Sequence, residues 1–427
     1  MINRRDFLSL AATSAGVALA PAASEAQPPD GAAALPPSIA ALSSMRSEMR
    51  PITSEERGLR IERARRLMTD RKLDAVLLAG GTSTVYFTNV QWWLSERFFG
   101  IFLTAKGSDF VVCPHFEEER AREQLDSGPL KGAAVLTWHE HEDPYALVAR
   151  GFGDRGMRSG TLGIEETVRF VFSDGIAAAA PAIRTVSGTP VTAGCRQVKD
   201  AHEIELMRLA SRVTLKAYAA AWQALREGMT QSDFAALVSA AHARLGFQGG
   251  AGVQVGEHSA LPHGSVTPQA VREGTILLID GGCSVDGYRS DISRTFVLGK
   301  PTSTMTRVFD IVRKAQDAAL ATARPGLPCE DVDAAARKVI ADAGFGPDDT
   351  HFSHRLGHGM GMDGHEWPYL VRGNTLPLAP GMTFSNEPGI YIRGEFGVRV
   401  EDDMLITPAG AELFTPQSPS LEKPFGD

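Results

Sequence analysis

The sequence predicts an α+β protein of two domains: a smaller α/β domain, then a larger α+β domain with an internal duplication. Three observations predict it. A chain of 427 residues is long for one domain and natural for two. From Glu55 to Cys195, helical periodicity alternates with short apolar runs, the α/β pattern. From Arg196 onward, a helix pair followed by strands occurs twice.

In the first domain (55–195), a helical pattern through Ile61, Ala64 and Met68 leads into the apolar run Ala75 to Ala79, closed by Gly80-Gly81. The runs 99–103, 110–112 and 134–136 read as further buried strands. The second domain (196–427) opens with a long helix over 200–227, with Ile204, Met207, Ala210 and Val213 on one face. Thr230 and Asp233 stand at capping-box spacing and start a helix that reaches Leu245. Strands follow over 276–280 and 295–298. A second helix pair, 304–323 and 330–343, is divided by Pro325-Gly326, and 351–413 reads as strand and loop.

Ahead of both domains, Arg4-Arg5 precedes an uncharged, Ala- and Leu-rich stretch from Ser9 to Ala23, with Ser24-Glu25-Ala26 as a cleavage site. Residues 1–26 resemble a twin-arginine signal peptide, which implies a periplasmic or secreted protein. The stretch is too short and too broken to span a membrane, so no stable membrane insertion is expected. Residues 27–54, rich in Pro, Ala and Ser, are expected to be a flexible leader. The net charge of -8 and the lack of a clustered basic surface exclude nucleic acid as a general partner. The cysteines, Cys113, Cys195, Cys283 and Cys329, form no CxxC pair and are expected to be free buried thiols.

The chemistry lies in the second domain. Asp280, Asp291, His358, Glu387 and Glu401 each stand in a separate short signature. Hard oxygen donors with one imidazole suit two divalent cations better than a structural zinc site does. In 280–291, two acids end an excursion containing Gly281, Gly282 and Gly287, where turn dihedrals are expected. A hairpin there would set Asp280 beside Asp291, and carboxylates so close call for a cation.

These motifs, Asp280-x-Gly282 with Ser290-Asp291, His354-x-x-Gly357-His358-Gly359 with His365-Glu366, Asn386-Glu387-Pro388-Gly389 and Val398-Arg399-Val400-Glu401, resemble in order the signatures of the pita-bread metallopeptidases. The chain is most similar to their aminopeptidase P and prolidase branch, with a creatinase-like amino-terminal domain. The resemblance implies a dinuclear centre in which Asp280 chelates one metal, Asp291 and Glu401 bridge both, and His358 and Glu387 complete the other site. It implies Mn²⁺ first, with Co²⁺, Fe²⁺ or Zn²⁺ as alternatives. A hydroxide held between the ions would attack the bond before proline in a peptide or dipeptide, and Glu387 would shuttle the proton. By the same resemblance His263 and His365 act on the substrate, His365 at the developing oxyanion. His354 lines the pocket for the residue after the scissile bond, Arg399 orients a metal-bound carboxylate, and a homodimer is implied. Aminopeptidase P and prolidase remain alternatives here. So do a metal-dependent lyase or small-amide hydrolase on the same fold and a non-catalytic binding protein.

Three other features read as structure. His139 to Asp143 is expected to be a solvated loop, and Gly249-Gly250-Ala251-Gly252, with no Gly-Lys-Ser/Thr after it, a loop near the site. Trp92-Trp93 suits an entrance, a subunit contact or plain packing equally.

Overall fold

The computed structural model describes residues 34–347 and 349–426. The expected signal peptide lies outside them. Residues from Pro37 onward form one compact unit, and among the described residues no helix is long and apolar enough to cross a membrane.

The first layer system is a six-stranded mixed sheet in the order β4-β3-β2-β1-β5-β6. Its strands are β1 (Ala75–Leu78), β2 (Gly100–Thr104), β3 (Phe110–Pro114), β4 (Ala134–Trp138), β5 (Gly160–Ile164) and β6 (Ile183–Ser187). β1, β2 and β3 are buried along their whole length, which explains their continuous apolar runs. The helix Ser54–Arg71 starts from a capping box between Thr53 and Glu56 and buries Ile61, Ala64 and Met68.

The second system repeats one plan. Helices Ala201–Gln223 and Gln231–Arg244, each begun by a capping box, cover a sheet of β7 (Gln248–Val255), β8 (Ile276–Val285), β9 (Tyr288–Arg289) and β10 (Ile292–Val297). Helices Ser303–Thr322 and Cys329–Ile340 then precede a second sheet, ordered β12-β11-β13-β16-β17. It comprises β11 (Gly357–Gly359), β12 (Glu366–Leu370), β13 (Thr383–Asn386), β16 (Asp402–Thr407) and β17 (Gly410–Leu413). A separate ribbon pairs β14 (Gly389–Ile392) with β15 (Phe396–Arg399). The halves are joined by the fully buried pair of Arg294 and Asp402 at 2.6 Å. This is the expected duplicated α+β architecture.

Three local expectations are corrected. The leader is packed from Pro37 on: Ile39, Met45 and Ile52 are buried, and the Met45 N–H donates to the Leu245 carbonyl at 2.9 Å. Its apolar residues cover the helix pair 201–244, so its composition concealed a docking segment. Gly249 to Gly252 lie in strand β7, with Gly252 opposite Asp280. A Cβ at Gly249 would come within 2.5 Å of the His242 ring, so these glycines permit close helix–strand packing. Finally, Gly281 and Gly282 lie inside β8, and the turn itself falls at Asp286-Gly287, both at positive φ. A Cβ on Gly282 would meet the Ser290 carbonyl oxygen at 1.9 Å.

All four cysteines are free and buried, as expected. The 139–143 loop is exposed. Trp92 is buried and stacks on Phe99 at 4.0 Å, whereas Trp93 is 64% exposed, with the Arg120 guanidinium over both indoles.

Candidate metal centre

Where the two halves meet, a cavity of about 720 Å³ opens. It is lined by Asp280, Asp291, His358, Glu387 and Glu401, together with His263, His354, His365 and Arg399. The candidate metal ligands, the three histidines and Arg399 therefore line one space.

Strand register explains the placement. β8 pairs with β10 so that Ser293 faces Asp280. Asp291, two residues before Ser293, falls on the same side of the ribbon. From the other half, His358 sits on β11, Glu387 just beyond β13 and Glu401 between β15 and β16. The glycine before His358 is forced by crowding, because a Cβ on Gly357 would lie 2.0 Å from the Ser385 carbonyl oxygen. The Ser385 hydroxyl oxygen accepts from the His358 N–H at 3.0 Å and donates to Glu387 Oε1 at 3.0 Å.

Three overlapping groups of donor atoms lie within 4.8 Å: Asp280, Asp291 and Glu401; His358, Glu387 and Glu401; and Asp291, His358 and His365. Asp291, His358 and Glu401 each belong to two of them. His365 stacks on His358 with centroids 3.8 Å apart, so spacing alone admits it as a ligand.

The electrostatics fit a cation. Burial, then Asp280 and Asp403, holds Asp291 well above the usual carboxylate range. Burial, then Asp291 and Glu387, does the same to Glu401. Burial pushes Glu387 up to about 7. Asp280 goes the other way: burial opposes ionisation, but Arg399 and the Ser293 hydroxyl outweigh it. Its side chain is 39% exposed, and that exposure is to the cavity. Burial and the neighbouring His365 push His358 down to about 3, so its imidazole is neutral. The His358 Nδ1–H donates to the Gly359 carbonyl at 3.1 Å, leaving Nε2 free to coordinate. The buried Tyr218 hydroxyl, without a partner among the described residues, lies in the field of Asp280, Asp291 and Glu401. Clustered carboxylates, a neutral imidazole and an orphaned hydroxyl form a donor set that fits divalent cations.

Several participants were not legible. Ser293 Oγ lies 2.8 Å from Asp280 Oδ1 and 2.7 Å from Glu401 Oε2, and accepts from Arg399 Nε at 2.9 Å. Its spacing from Asp291 was an available signal. Tyr391 had none: its hydroxyl donates to His354 Nε2 at 2.7 Å and accepts from Arg399 Nη1 at 2.9 Å. His354 Nδ1 is also engaged, with the Arg355 carbonyl at 2.8 Å. Both His354 nitrogens are thus taken, and what it turns to the cavity is its ring. Behind Asp291, the Asp403 carboxylate faces the Asp291 N–H and the Ser211 hydroxyl.

The fold and this site define a metallopeptidase. Residues 205–408 match metallopeptidase family M24 and residues 60–198 the creatinase/prolidase N-terminal domain. The Xaa-Pro dipeptidase of Lactobacillus delbrueckii subsp. lactis is 31% identical over 85% of this chain and 98% of its own length. Two solved structures superpose closely. The dipeptidase PepE of Mycobacterium ulcerans has a TM-score of 0.81 at 31% identity, covering 87% of this chain and 99% of that one. The prolidase of Thermococcus sibiricus has a TM-score of 0.76 at 28% identity, covering 86% and 98%. The chain belongs to metallopeptidase family M24, with the pita-bread fold and the creatinase-type amino-terminal domain expected from its motifs. It is an enzyme, a metal-dependent peptidase of the dipeptidase and prolidase group.

Proposed function

We propose that this enzyme hydrolyses the Xaa-Pro bond of dipeptides or short peptides, with two divalent cations held by Asp280, Asp291, His358, Glu387 and Glu401. One observation carries the reading: the clusters Asp280–Asp291–Glu401 and His358–Glu387–Glu401 share Glu401, and Asp291 Oδ2 lies 3.8 Å from His358 Nε2, the arrangement that two bridging carboxylates between neighbouring sites need. Mn²⁺ is the first expectation, with Co²⁺, Fe²⁺ or Zn²⁺ as alternatives. When bound, the cations supply Lewis acidity and make water a nucleophile at neutral pH.

The chain's own residues do the rest. Arg399 and Ser293 hold Asp280 ionised and in place. Glu387 takes the proton of the attacking water and returns it to the leaving nitrogen. His365, kept neutral by burial and by Arg355, presents an N–H to the carbonyl oxygen as it becomes an oxyanion. His263 binds substrate from the rim, where the Pro262 carbonyl is anchored by Arg399 Nη1 at 3.0 Å. The His354 ring shapes the space for the residue after the scissile bond.

A prolyl nitrogen carries no N–H, so a pocket built for it need not offer an acceptor. The metal-loaded enzyme is expected to cleave Ala-Pro about 10- to 100-fold better than Ala-Ala in kcat/KM, the scale of one desolvated N–H. Equal rates would overturn the proline assignment, and inactivity on every peptide would overturn the peptidase reading. The reading includes a homodimer, tested by sedimentation. It also includes export through the twin-arginine route, on the strength of Arg4-Arg5 and the uncharged stretch behind them.

A further inference from the structure

The ring of His365 takes its position from the chain that carries it. It makes no hydrogen bond and no ion pair among the described residues, and it meets the His358 ring face to face with centroids 3.8 Å apart. What fixes the backbone on either side therefore fixes the imidazole.

That backbone, residues 361–366, is held from two directions. Within the loop, Glu366 Oε1 accepts from the Met362 and Asp363 N–H groups at 2.7 and 2.9 Å. The closure is tight, since a Cβ on Gly361 would lie 2.7 Å from both Glu366 carboxylate oxygens. From outside, the Arg289 N–H donates to the Gly361 carbonyl at 2.8 Å, and Arg289 Nε donates to the Met362 carbonyl at 3.1 Å.

One side chain joins this loop to the first domain. Arg196, the last residue of the helix Thr189–Arg196, is buried and pairs through Nη2 with both Glu366 and Asp363. Its Nη1 donates to the Ser83 hydroxyl oxygen at 3.3 Å, and that hydroxyl donates to Glu165 Oε1 at 3.0 Å. The Thr82 hydroxyl donates to Asp363 Oδ1. Lys199 approaches Glu366 only at 3.4 Å. Burying an ion pair adds little net stability, because both charges lose their water. What a planar guanidinium set across two carboxylates supplies is fixed geometry.

We propose that Arg196 is a positioning residue: by clamping Glu366 and Asp363 against Ser83 and Thr82, it makes the first domain set where His365 presents its imidazole. The proposal rests on the reading of His365 as the group that meets the developing oxyanion.

The experiment measures kcat, KM and bound Mn²⁺ with Ala-Pro for Arg196→Met, Arg196→Lys and Asp363→Asn, each alone and combined with His365→Ala. Arg196→Met is expected to lower kcat by about 10- to 100-fold, the scale of a misplacement of about 1 Å. KM and metal content should stay at wild-type values. Arg196→Lys should recover part of the loss, because an ammonium keeps the charge without the fork, and Asp363→Asn should show a smaller loss in the same direction. In the His365→Ala background Arg196→Met should change kcat by less than about 2-fold, since residues that act through one another are not additive. An equal loss in both backgrounds, or a raised KM with kcat unchanged, overturns the proposal. Should Arg196→Met not fold, Asp363→Asn is judged by the same criteria.

A second readout needs no turnover. In metal-free protein the His365 imidazole resonance, assigned by its disappearance in His365→Ala, should shift in Arg196→Met and Asp363→Asn. The resonance of His242, buried elsewhere against Val238 and Thr214, should stay in place. An unmoved His365 resonance overturns the proposal. Were no peptide cleaved, or were His365→Ala fully active, the reading of the site would fall by itself, and the resonance alone would judge Arg196.

Discussion

Arg399 Nη2 lies 2.8 Å from Asp280 Oδ2, and the same guanidinium holds Ser293, the Pro262 carbonyl and the Tyr391 hydroxyl. One buried side chain thereby orients a carboxylate, anchors the loop that carries His263 and reaches His354 through Tyr391. A lysine cannot fill these positions, since it lacks the planar fork. Arg399→Lys is expected to weaken Mn²⁺ binding by about 10- to 100-fold, the usual loss when a ligand's supporting partner is removed. Equilibrium dialysis measures it, and wild-type affinity in the variant would remove Arg399 from this role.

Asp291→Asn and Glu401→Gln should each lose metal together with activity, because each carboxylate is proposed to serve both ions. Elemental analysis of the purified variants checks this. Full occupancy with normal turnover would refute the bridging assignment.

His365→Ala separates binding from catalysis. The variant is expected to retain both ions while kcat falls about 10²-fold or more, as on losing one oxyanion donor. Loss of a metal instead would make His365 a ligand, which its grouping with Asp291 and His358 allows on distance.

Glu366, next to His365, is buried and accepts from the Met362 and Asp363 N–H groups as well as from Arg196. Burial pushes its pKa up, but Lys199 and Arg196 outweigh this and hold it at about 2. Lys199, fully buried, is itself pushed below the ordinary lysine range, so Arg196 is the dependable cation. A carboxylate depressed on folding stabilises above its unfolded pKa, and that stability is lost as pH falls through the folded value. Glu366→Gln should therefore cost about 3 kcal/mol at pH 7. The gap to wild type should narrow by about 2 kcal/mol on going to pH 3. Urea unfolding at the two pH values tests it, and a gap independent of pH would rule out the ion pair as its source.

Replacing Arg4 and Arg5 by lysine should leave full-length precursor in the cytoplasm. Fractionation and immunoblotting decide, and mature protein outside as before would exclude the twin-arginine route.

Much of this was legible beforehand. The capping box at Thr230, the buried runs of β1 to β3 and the helix–strand repetition are local signals, and each formed as read. The departures share one cause: glycines whose pattern predicts a turn serve close approach of neighbouring chain, and a stretch whose composition predicts a linker packs through its apolar residues. Gly282 clears the Ser290 carbonyl, the Gly249 to Gly252 strand clears the His242 ring, and residues 37–53 carry apolar anchors among their prolines.

The sequence by itself determined which side chains are candidates for the chemistry, because metal binding demands particular donor atoms and the glycines beside them answer to close backbone approach. Tertiary structure alone decided which of those atoms are free. Tyr391 occupies a nitrogen of His354, Arg399 depresses Asp280, Ser293 joins Asp280 to Glu401, and Arg355 is left with only an aromatic ring beneath it. Most of these partners lie far apart in the chain. Their charges and hydrogen bonds act over a few ångströms, a proximity that only folding creates.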